Sequence, residues 1–350
     1  MGLIKKLLIL SNIIAAIAIL GVYINYYIPP YKIFIFPVLG LIFPVLFFLH
    51  CFFVVLWLFQ DVKWMILSTL CILLGWNHAT GFIGLAGNNT TNLKTNVGIL
   101  TLNTHFFKDI EYKHGPNAGN VFINFLNTIS SLDVIALQEF PFKYENFVLE
   151  RLKGFDIVRY EHKRAVIFTK YPVIAKGEID FGTSTNSCVW ADCKIGDQIV
   201  RIYSVHLQSN SITDRADHVL DNLQFRNKKT WSESIDILRR YRRRAITRYH
   251  QMDKILQHIE STQTPVILAG DLNEPPNSNL IREVSKRLND SFKARGRGVG
   301  STYGGRLPFL RIDYIFVSDH FIVNDLQTHP VDISDHFPVT AMLHLRKEKT

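Results

Sequence analysis

Charged residues are nearly absent from the first quarter of this 350-residue chain. Residues 1–86 contain four lysines and one aspartate, so they contribute +3 of the net charge of +9 and the remainder contributes +6. A soluble domain carries charge at about a quarter of its positions, so the composition of this segment is unlike that of a soluble domain. Residues 87–350 have the mixed composition of a soluble globular domain.

Cysteine is also scarce, and the four cysteines have no Cys/His spacing typical of a zinc site. Cys51 and Cys71 lie in apolar runs, where we expect them to be packing residues. Cys188 and Cys193 flank one predicted strand at an odd separation, so their side chains point to opposite faces and we expect free thiols. The sequence also has no internal repeat and no low-complexity tract.

Three long apolar runs fill the first part of the chain. They extend over Leu7–Tyr27, Ile33–Phe59 and Trp64–Leu85. Each is long enough to cross a hydrocarbon core of roughly 30 Å at 1.5 Å per residue. We therefore predict a membrane domain of three transmembrane helices over residues 1–86. A buried helical hairpin, or a cleaved signal peptide for the first run, is the alternative.

Positive charge at the amino terminus gives a prediction of orientation. Lys5 and Lys6 favour a cytoplasmic amino terminus under the positive-inside rule. Three crossings would then place residues 87–350 outside the cytoplasm. We predict a multi-pass integral protein of the cell membrane, in which residues 87–96 form a linker and residues 97–350 form one folded domain.

The soluble part combines many short strands with a few helices. A long amphipathic helix is predicted over Ser232–Ile259, and shorter helices over Ala118–Leu132 and Ser278–Leu288. This pattern favours an α/β architecture in which two sheets pack together and are flanked by helices. The predicted strands are Val97–Leu102, Val134–Gln138, Ile157–Arg159, Ala165–Thr169, Val173–Ile179, Val189–Lys194, Ile199–His206, Pro265–Ala269, Ile312–Val317 and Val339–Leu343.

Polar side chains stand at or next to the ends of six of these strands. Strand ends are where α/β proteins gather their chemistry. One such side chain alone is usually a turn cap or a solvated group, but six strand ends together indicate a hydrolytic site built around a metal ion. The residues are Asn103, Glu139, His206, Asp271 with Asn273, Asp313, and Asp335 with His336.

The oxygen-bearing residues of this set suit metal-assisted phosphoester hydrolysis. Hard ions such as Mg²⁺ prefer oxygen ligands, and we expect Glu139 to be a ligand, with Asp335 and Asn103 near it or acting through water. Asp271 is suited to orient or deprotonate the attacking water. Asn273 can donate its amide hydrogens to a phosphate oxygen.

The two histidines complete the predicted site. An imidazolium can stabilise developing charge or protonate a leaving group, and we predict this role for His336 and His206. Asp313 would fix the tautomer of His336, as a carboxylate does in other acid–base pairs. A metal ion would offset the negative charge of a phosphodiester and polarise a phosphoryl oxygen.

Six motifs, in this order along the chain, resemble those of the endonuclease/exonuclease/phosphatase superfamily. Members of this superfamily include deoxyribonuclease I, abasic-site endonucleases, neutral sphingomyelinases and inositol polyphosphate phosphatases. The resemblance covers about residues 96–346. The motifs are Leu102-Asn103, Gln138-Glu139, Ser204-Val205-His206, Gly270-Asp271-Leu272-Asn273, Arg311-Ile312-Asp313-Tyr314 and Ser334-Asp335-His336-Phe337-Pro338.

The resemblance implies a four-layered α/β sandwich of two packed sheets, dependence on Mg²⁺ or Mn²⁺, and phosphoester cleavage without a covalent intermediate. It assigns metal binding to Glu139, with Asn103 beside it and Asp335 assisting. It gives Asp271, Asn273 and Asp313 the roles described above, and it places His206 opposite His336. The apolar helices are not part of the superfamily core.

The substrate is less well defined by the sequence. His105 stands where some abasic-site enzymes have an acidic residue, which disfavours that specialised activity. The arginine-rich face over residues 239–248 would bind a nucleic-acid backbone, contact anionic lipid head groups, or be a solvated helix face. Two enzyme hypotheses follow: a membrane-anchored nuclease or phosphodiesterase, and a hydrolase of phospholipid or phosphoinositide head groups. A catalytically silent membrane-bound binding protein is a third hypothesis.

Overall fold

The computed structural model describes residues 2–32, 38, 40–86, 97–183, 185–209, 228–305 and 309–346, without the side chains of 228–235. The predicted linker, residues 87–96, lies outside the described residues. All ten predicted strands are present, with ends that differ from the prediction by no more than two residues. Four further strands, Ile83–Leu85, Asn289–Asp290, Arg297–Val299 and Phe321–Thr328, and several short helices were not predicted from the sequence.

The helices and strands are numbered here along the chain. The helices are α1 (Leu3–Tyr27), α2 (Phe43–Gln60), α3 (Val62–Ala79), α4 (Lys108–His114), α5 (Ala118–Thr128), α6 (Glu145–Arg151), α7 (Lys228–Glu260), α8 (Asn279–Ser285) and α9 (Ser291–Arg295). The strands are β1 (Ile83–Leu85), β2 (Val97–Asn103), β3 (Val134–Gln138), β4 (Asp156–Val158), β5 (Val166–Thr169), β6 (Val173–Ile179), β7 (Ser187–Ile195), β8 (Gln198–His206), β9 (Val266–Asp271), β10 (Asn289–Asp290), β11 (Arg297–Val299), β12 (Asp313–Val317), β13 (Phe321–Thr328) and β14 (Val339–Leu345).

Two six-stranded sheets form the centre of the soluble part. The first has the order β10-β12-β9-β8-β7-β6, and the second has the order β13-β14-β2-β3-β5-β4. In the described part each sheet has one parallel pair, β8 with β9 and β2 with β3, and its other neighbouring strands are antiparallel. Short strands β1 and β11 make a separate two-stranded sheet.

The sheets pack against each other and are covered on their outer faces, which explains their apolar strands. All seven residues of β2 are buried. Val97 and Ile99 point into the core between the sheets, whereas Leu100 and Leu102 point into a second core formed with α4, α5 and α6. Because successive side chains alternate between faces, a strand covered on both sides is a nearly continuous apolar run.

The end of α7 covers the outer face of the first sheet. The Tyr203 hydroxyl lies 2.8 Å from Nδ1 of His258, and the Trp190 and His258 rings are 5.2 Å apart. Helix, sheet, sheet and helix therefore form four layers, as the sequence predicted. Cys188 and Cys193 are buried free thiols, also as predicted.

The described residues fall into two compact units. The sandwich unit consists of Gly84–Ser209, His250–Asn273 and Val284–Thr350. The helix unit consists of Met1–Ile83, Asn210–Tyr249 and Glu274–Glu283. The helix unit therefore contains α1, α2 and α3 together with the first part of α7 and most of α8.

Two of the three apolar helices, rather than all three, are long and apolar enough to be candidate membrane spans. These are Leu3–Tyr27 and the segment Gly40–Gln60, which includes α2. The third predicted span corresponds to α3, whose 18 residues include Lys63, Asn77 and His78. At 1.5 Å per residue α3 is about 27 Å long, slightly less than the thickness of a hydrocarbon core.

Candidate active site

The two parallel strand pairs bring the predicted site residues to one edge of the sandwich. Asn103 ends β2, and Glu139 directly follows β3, its parallel neighbour. His206 and Asp271 end the parallel strands β8 and β9 and lie opposite each other in the register. Parallel neighbours end at the same edge of a sheet, so each pair delivers two side chains there.

The antiparallel strands β12 and β14 begin at the same edge of the sandwich. Asp313 is the first residue of β12 and pairs with Asp271 across the ladder. His336 and Asp335 precede β14, whose first residue, Val339, pairs with Thr101 near the end of β2. Strand direction therefore explains why motifs before β12 and β14 join motifs after β2, β3, β8 and β9.

Asp271 is held in a fixed orientation by three N–H donors. The side-chain amides of Asn103 and Asn273 each donate to Oδ2 over 3.0 Å, and the backbone N–H of Asn273 donates to Oδ1 over 2.9 Å. The Asp271 residue is only 1% exposed. Oδ2 lies 3.7 Å from Nε2 of His206 and 3.8 Å from Nε2 of His336, so this oxygen stands between the two imidazoles.

His336 and Asp313 form a buried pair. Nδ1 of His336 lies 2.9 Å from Oδ2 of Asp313. Burial opposes the charge on His336, but the Asp313 and Asp271 carboxylates outweigh it and raise the pKa of His336 to about 10. Burial also raises the pKa of Asp313 to about 6, although His336 favours its ionised form. The attraction between the two groups favours an imidazolium paired with a carboxylate.

His206 faces two carboxylates with one nitrogen. Its Nδ1 lies 3.1 Å from the carbonyl oxygen of Thr185, so Nδ1 carries a proton and donates it. Its Nε2 lies 3.7 Å from Oε1 of Glu139 and 3.7 Å from Oδ2 of Asp271. This buried nitrogen has no hydrogen-bond partner within the described part of the chain. A buried polar atom aimed into a site needs a ligand or water to satisfy it.

Backbone conformations that side chains rarely adopt shape the loops at this edge. Glu139 has φ 50° and Asn273 has φ 53°, in the left-handed region. The carbonyl oxygen of Glu139 accepts from the Phe106 N–H at 3.1 Å and from the Thr104 hydroxyl at 2.9 Å. The loop after β2 therefore holds the residue after β3 in a strained conformation that is typical of functional sites.

The oxygen donors of Asn103, Glu139 and Asp335 fit a hard divalent cation. Asn103 and Asp335 are tied together because the Ser334 hydroxyl donates to the Asn103 carbonyl oxygen at 2.7 Å. Oδ1 of Asn103 accepts from the His105 N–H, and the Glu139 side chain is only 13% exposed. Carboxylate and amide oxygens are the ligands that Mg²⁺ and Mn²⁺ prefer. The donor set therefore fits the predicted cofactor.

Ligand-type atoms of His105, Asp109 and Asp335 lie within 4.8 Å of one another, so Asp335 belongs to one of the two groups in the described part of the chain that could hold a metal ion. The other group consists of Asp271, Asp313 and His336. Their spacing has another explanation, because a proton on Nδ1 of His336 already bridges the imidazole and Asp313. A cation bound there would have to displace that proton. Of the three ligands that the sequence predicts, Asn103, Glu139 and Asp335, Asp335 is the one that belongs to a group of neighbouring ligand-type atoms.

Three neighbours of the site were not predicted from the sequence. Asp109 accepts from the Asp335 N–H at 3.2 Å and lies 2.7 Å from Nδ1 of His105. The Thr302 hydroxyl accepts from the Asp313 N–H at 3.0 Å. The Tyr303 ring packs edge-on against the His336 ring, with centroids 5.2 Å apart. Asp109 lies in a short helix and the other two in a Gly/Arg-rich loop, where no strand pattern signals them.

The fold and this edge define an α/β sandwich protein with a polar site at the ends of two packed sheets. The sequence model described as the Endonuclease/Exonuclease/phosphatase family matches residues 100–336. The chain belongs to the endonuclease/exonuclease/phosphatase family. A second model, described as a domain of unknown function, matches residues 5–82. A search of curated protein sequences gives no match.

Solved structures share the fold at low sequence identity. The endonuclease/exonuclease/phosphatase from Bacteroides vulgatus is 17% identical with a TM-score of 0.55, covering 72% of this chain and 100% of that chain. A mannosyl-6-phosphatase from Bacteroides thetaiotaomicron is 17% identical with a TM-score of 0.52, covering 71% and 100%. D. rerio TDP2 in complex with a single-strand DNA product is 15% identical with a TM-score of 0.52, covering 71% and 98%.

Proposed function

We propose that this protein is a membrane-anchored phosphoester hydrolase that depends on Mg²⁺ or Mn²⁺, of the nuclease or phosphodiesterase type. The observation that carries the proposal is the position of Asp271. Its carboxylate is fixed by three N–H donors and stands between Nε2 of His206 and Nε2 of His336. An immobilised base between two imidazoles suits in-line attack by water on a phosphorus atom.

The roles of the residues follow from this arrangement. Asp271 orients the water and takes up its proton, because both of its oxygens are held by the amide groups of Asn103 and Asn273. The His336 imidazolium, kept charged by Asp313, donates to a phosphoryl oxygen as negative charge develops. His206 donates from the other side, and Asn273 positions the phosphate. Water attacks directly, so no covalent intermediate forms on the protein.

The metal would be held by Glu139, with Asp335 and Asn103 beside it or bound through water. When bound, the ion would offset phosphate charge and polarise a phosphoryl oxygen. Glu139 also approaches Nε2 of His206 at 3.7 Å, so the same carboxylate would link the ion to the phosphate-binding histidine. Removing the metal should therefore stop hydrolysis without unfolding the sandwich unit.

Membrane anchoring is supported by the exposure of the apolar helices. Fewer than half of the residues in the most apolar windows of the two candidate spans are buried, 44% in α1 and 33% in the segment containing α2. Ile4 is 76% exposed, Ile17 66% and Phe59 83%. A core helix of a soluble protein would bury these side chains, whereas lipid would cover them. We propose residues 1–86 as the membrane domain, 87–96 as the linker and 97–350 as the catalytic domain.

A second candidate function is hydrolysis of phospholipid or phosphoinositide head groups. The apolar helices favour it, because an enzyme held in a membrane meets lipid phosphoesters at high local concentration. The similar structures include a mannosyl-6-phosphatase and TDP2 bound to a DNA product, so this fold accommodates both monoesters and nucleic acid in other proteins. A catalytically silent binding protein is disfavoured because all eight predicted site residues meet at one edge.

A substrate panel tests the proposal and separates the two candidates. Full-length protein with Mg²⁺ would be assayed on plasmid DNA, RNA, sphingomyelin and phosphoinositides. Asp271→Asn should lower any activity by about 100-fold or more, since general-base catalysis supplies that much. The control is Asp180→Asn, at an exposed aspartate paired with Lys163. Equal activity of Asp271→Asn and wild type on every substrate would show that the mechanism is wrong.

We propose separately that the catalytic domain lies outside the cytoplasm. Placement of the catalytic domain outside the cytoplasm relied on three crossings, and two helices qualify by length and composition. Protease added to intact cells should cut the domain if it lies outside. Protection in intact cells, with cleavage after lysis, would place the domain in the cytoplasm.

A further inference from the structure

We propose that the exposed arginines of α7, Arg239, Arg240 and Arg243, form a surface that binds anionic phospholipid head groups. The proposal rests on the membrane anchoring proposed above, and it does not depend on the hydrolytic activity. It is drawn from contacts inside the helix unit, which contains both these arginines and the candidate membrane spans. We call these three residues the arginine surface.

The basic part of α7 is attached to the carboxyl end of a candidate span. Nη2 of Arg242 donates to the carbonyl oxygen of Tyr31 at 3.0 Å, four residues after α1 ends. The Tyr31 ring packs against the Tyr249 ring, with centroids 5.6 Å apart. The arginine-bearing turns of α7 therefore lie beside the point where α1 would leave the hydrocarbon core.

A second segment makes contacts at the same place. The side-chain amide of Asn279 donates to the carbonyl oxygen of Tyr26 at 3.0 Å. The Arg282 guanidinium lies over the Tyr27 ring at 5.0 Å and over the Tyr26 ring at 5.8 Å. Tyrosine is enriched at the membrane–water boundary, so the tyrosines at the end of α1 mark the level of the head groups. Residues anchored to them lie at that level.

The faces of α7 divide its arginines into two kinds. Tyr241, Ala245 and Arg248 are buried, at the spacing of one helix face. The Arg248 guanidinium is used inside the unit, since it donates to Oε1 of Glu274 at 2.8 and 2.6 Å. The arginine surface lies on the exposed part of the helix.

The described carboxylates neutralise little of the charge of the arginine surface. Asp236 lies 3.4 Å from Arg239 on the same helix, and both side chains are well exposed. Arg240 and Arg243 have no ion-pair partner among the side chains that the structure describes. Exposed guanidinium groups at head-group level suit phosphate oxygens, which they bind through paired, charge-assisted hydrogen bonds.

Anionic lipid fits this surface better than nucleic acid does. Proteins that bind single strands combine basic residues with aromatic rings on which bases stack. The two tyrosines beside these arginines already make contacts inside the helix unit, because Tyr241 is buried and the Tyr249 ring packs against the Tyr31 ring. A basic surface that has no free aromatic ring among the described side chains, and that contacts the end of an apolar helix, is typical of head-group binding.

The test uses full-length protein in nanodiscs of phosphatidylcholine that contain a trace of spin-labelled lipid. The measurement is the selectivity of the protein boundary for phosphatidylglycerol over phosphatidylcholine, by electron paramagnetic resonance at low salt. The variant R239Q/R240Q/R243Q removes the arginine surface. The matched control K153Q/K176Q/K194Q removes three exposed lysines of the sandwich unit.

We expect wild type and the control to prefer phosphatidylglycerol by at least about fivefold, which is the effect of a single arginine near an anionic surface. The arginine variant should show a ratio near one. Equal selectivity in all three proteins would overturn the proposal. So would loss of single-stranded oligonucleotide binding in the arginine variant with lipid selectivity unchanged, which would identify a nucleic-acid surface.

The same nanodiscs separate this proposal from the proposed hydrolase. A soluble phosphodiester substrate should be hydrolysed equally by wild type and the arginine variant, since no residue of the arginine surface belongs to the candidate site. Lipid selectivity without any hydrolysis would contradict the hydrolase and leave the arginine surface supported. Failure of detergent-purified wild type to enter nanodiscs would overturn the membrane anchoring and the arginine surface together.

Discussion

Replacing Gly270 by alanine tests how the sandwich fixes its candidate base. Gly270 directly precedes Asp271 in β9 and lies opposite Val205 of β8. A Cβ added at Gly270 would lie 2.0 Å from the Val205 carbonyl oxygen, where real Cβ contacts are not closer than 3.0 Å. That oxygen belongs to the backbone of β8, which lies in the centre of a sheet, so β9 itself must move.

The required shift is about 1 Å, the difference between these two separations, and displacements of that size in an active site cost about 100-fold in rate. Asp271 would move with β9 away from His206, its partner in the register. Overpacking of a core typically costs about 1–3 kcal/mol of stability. We therefore expect Gly270→Ala to keep its fold, lose about 1–3 kcal/mol and lose about 100-fold in kcat/KM.

The assay combines thermal unfolding with hydrolysis of the best substrate from the panel. The matched control is Gly196→Ala, in the turn between β7 and β8, where φ is also positive, at 62°, and no atom lies within 4 Å of the added Cβ. Gly270 has φ 149°, which residues other than glycine rarely adopt, so Gly270→Ala adds backbone strain as well as the collision. Gly196→Ala adds the milder left-handed strain alone, so it should destabilise slightly and keep full activity. If Gly270→Ala retained activity within tenfold of Gly196→Ala, the close approach of β8 and β9 would not be what positions Asp271.

Two further predictions concern a buried arginine and the candidate metal ligand. Arg248→Met removes the guanidinium that pairs with the buried Glu274 carboxylate and should lower the free energy of unfolding by about 3–5 kcal/mol. Arg239→Gln, at an exposed position of the same helix, should change it by less than about 0.5 kcal/mol. Denaturant unfolding compares the two variants, and equal losses of stability would contradict the burial argument. Glu139→Gln should raise the Mg²⁺ concentration needed for half-maximal activity at least tenfold, unlike Glu150→Gln at a 73% exposed site. An unchanged requirement would exclude Glu139 as a ligand.

The strands, and the polar residues that stand at their ends, were predictable from the sequence because they obey local rules. A strand covered on both faces is a nearly continuous apolar run, and β2, β3 and β9 are such runs. The polar residue that ends such a run stands out against it. The sequence therefore predicted Asn103, Glu139 and Asp271 without knowledge of which strands are neighbours.

Other features depend on tertiary contacts that no local pattern encodes. β13 carries Asn324, Asp325 and Gln327 at a sheet edge with a bulge, so its apolar pattern is interrupted. Asp109 joins the site only because α4 folds back against the loop before β14. The long helix α7 has uninterrupted helical periodicity, yet its two parts belong to different compact units. Composition alone also predicted a third membrane span. The corresponding helix, α3, is only marginally long and apolar enough to cross a hydrocarbon core.

Backbone strain gives an indication of the site that does not depend on the motifs. Glu139 and Asn273 adopt left-handed conformations, and so does His105, two residues after Asn103. Such a conformation costs a residue like glutamate about 1–3 kcal/mol and persists only where the surroundings impose it. For Glu139 those surroundings are the Phe106 N–H and the Thr104 hydroxyl, both donated by the loop after β2. The sharp turns at the ends of β2, β3 and β9 therefore lower the stability of the fold. Those sharp turns hold the amide, the candidate ligand and the candidate base at one edge.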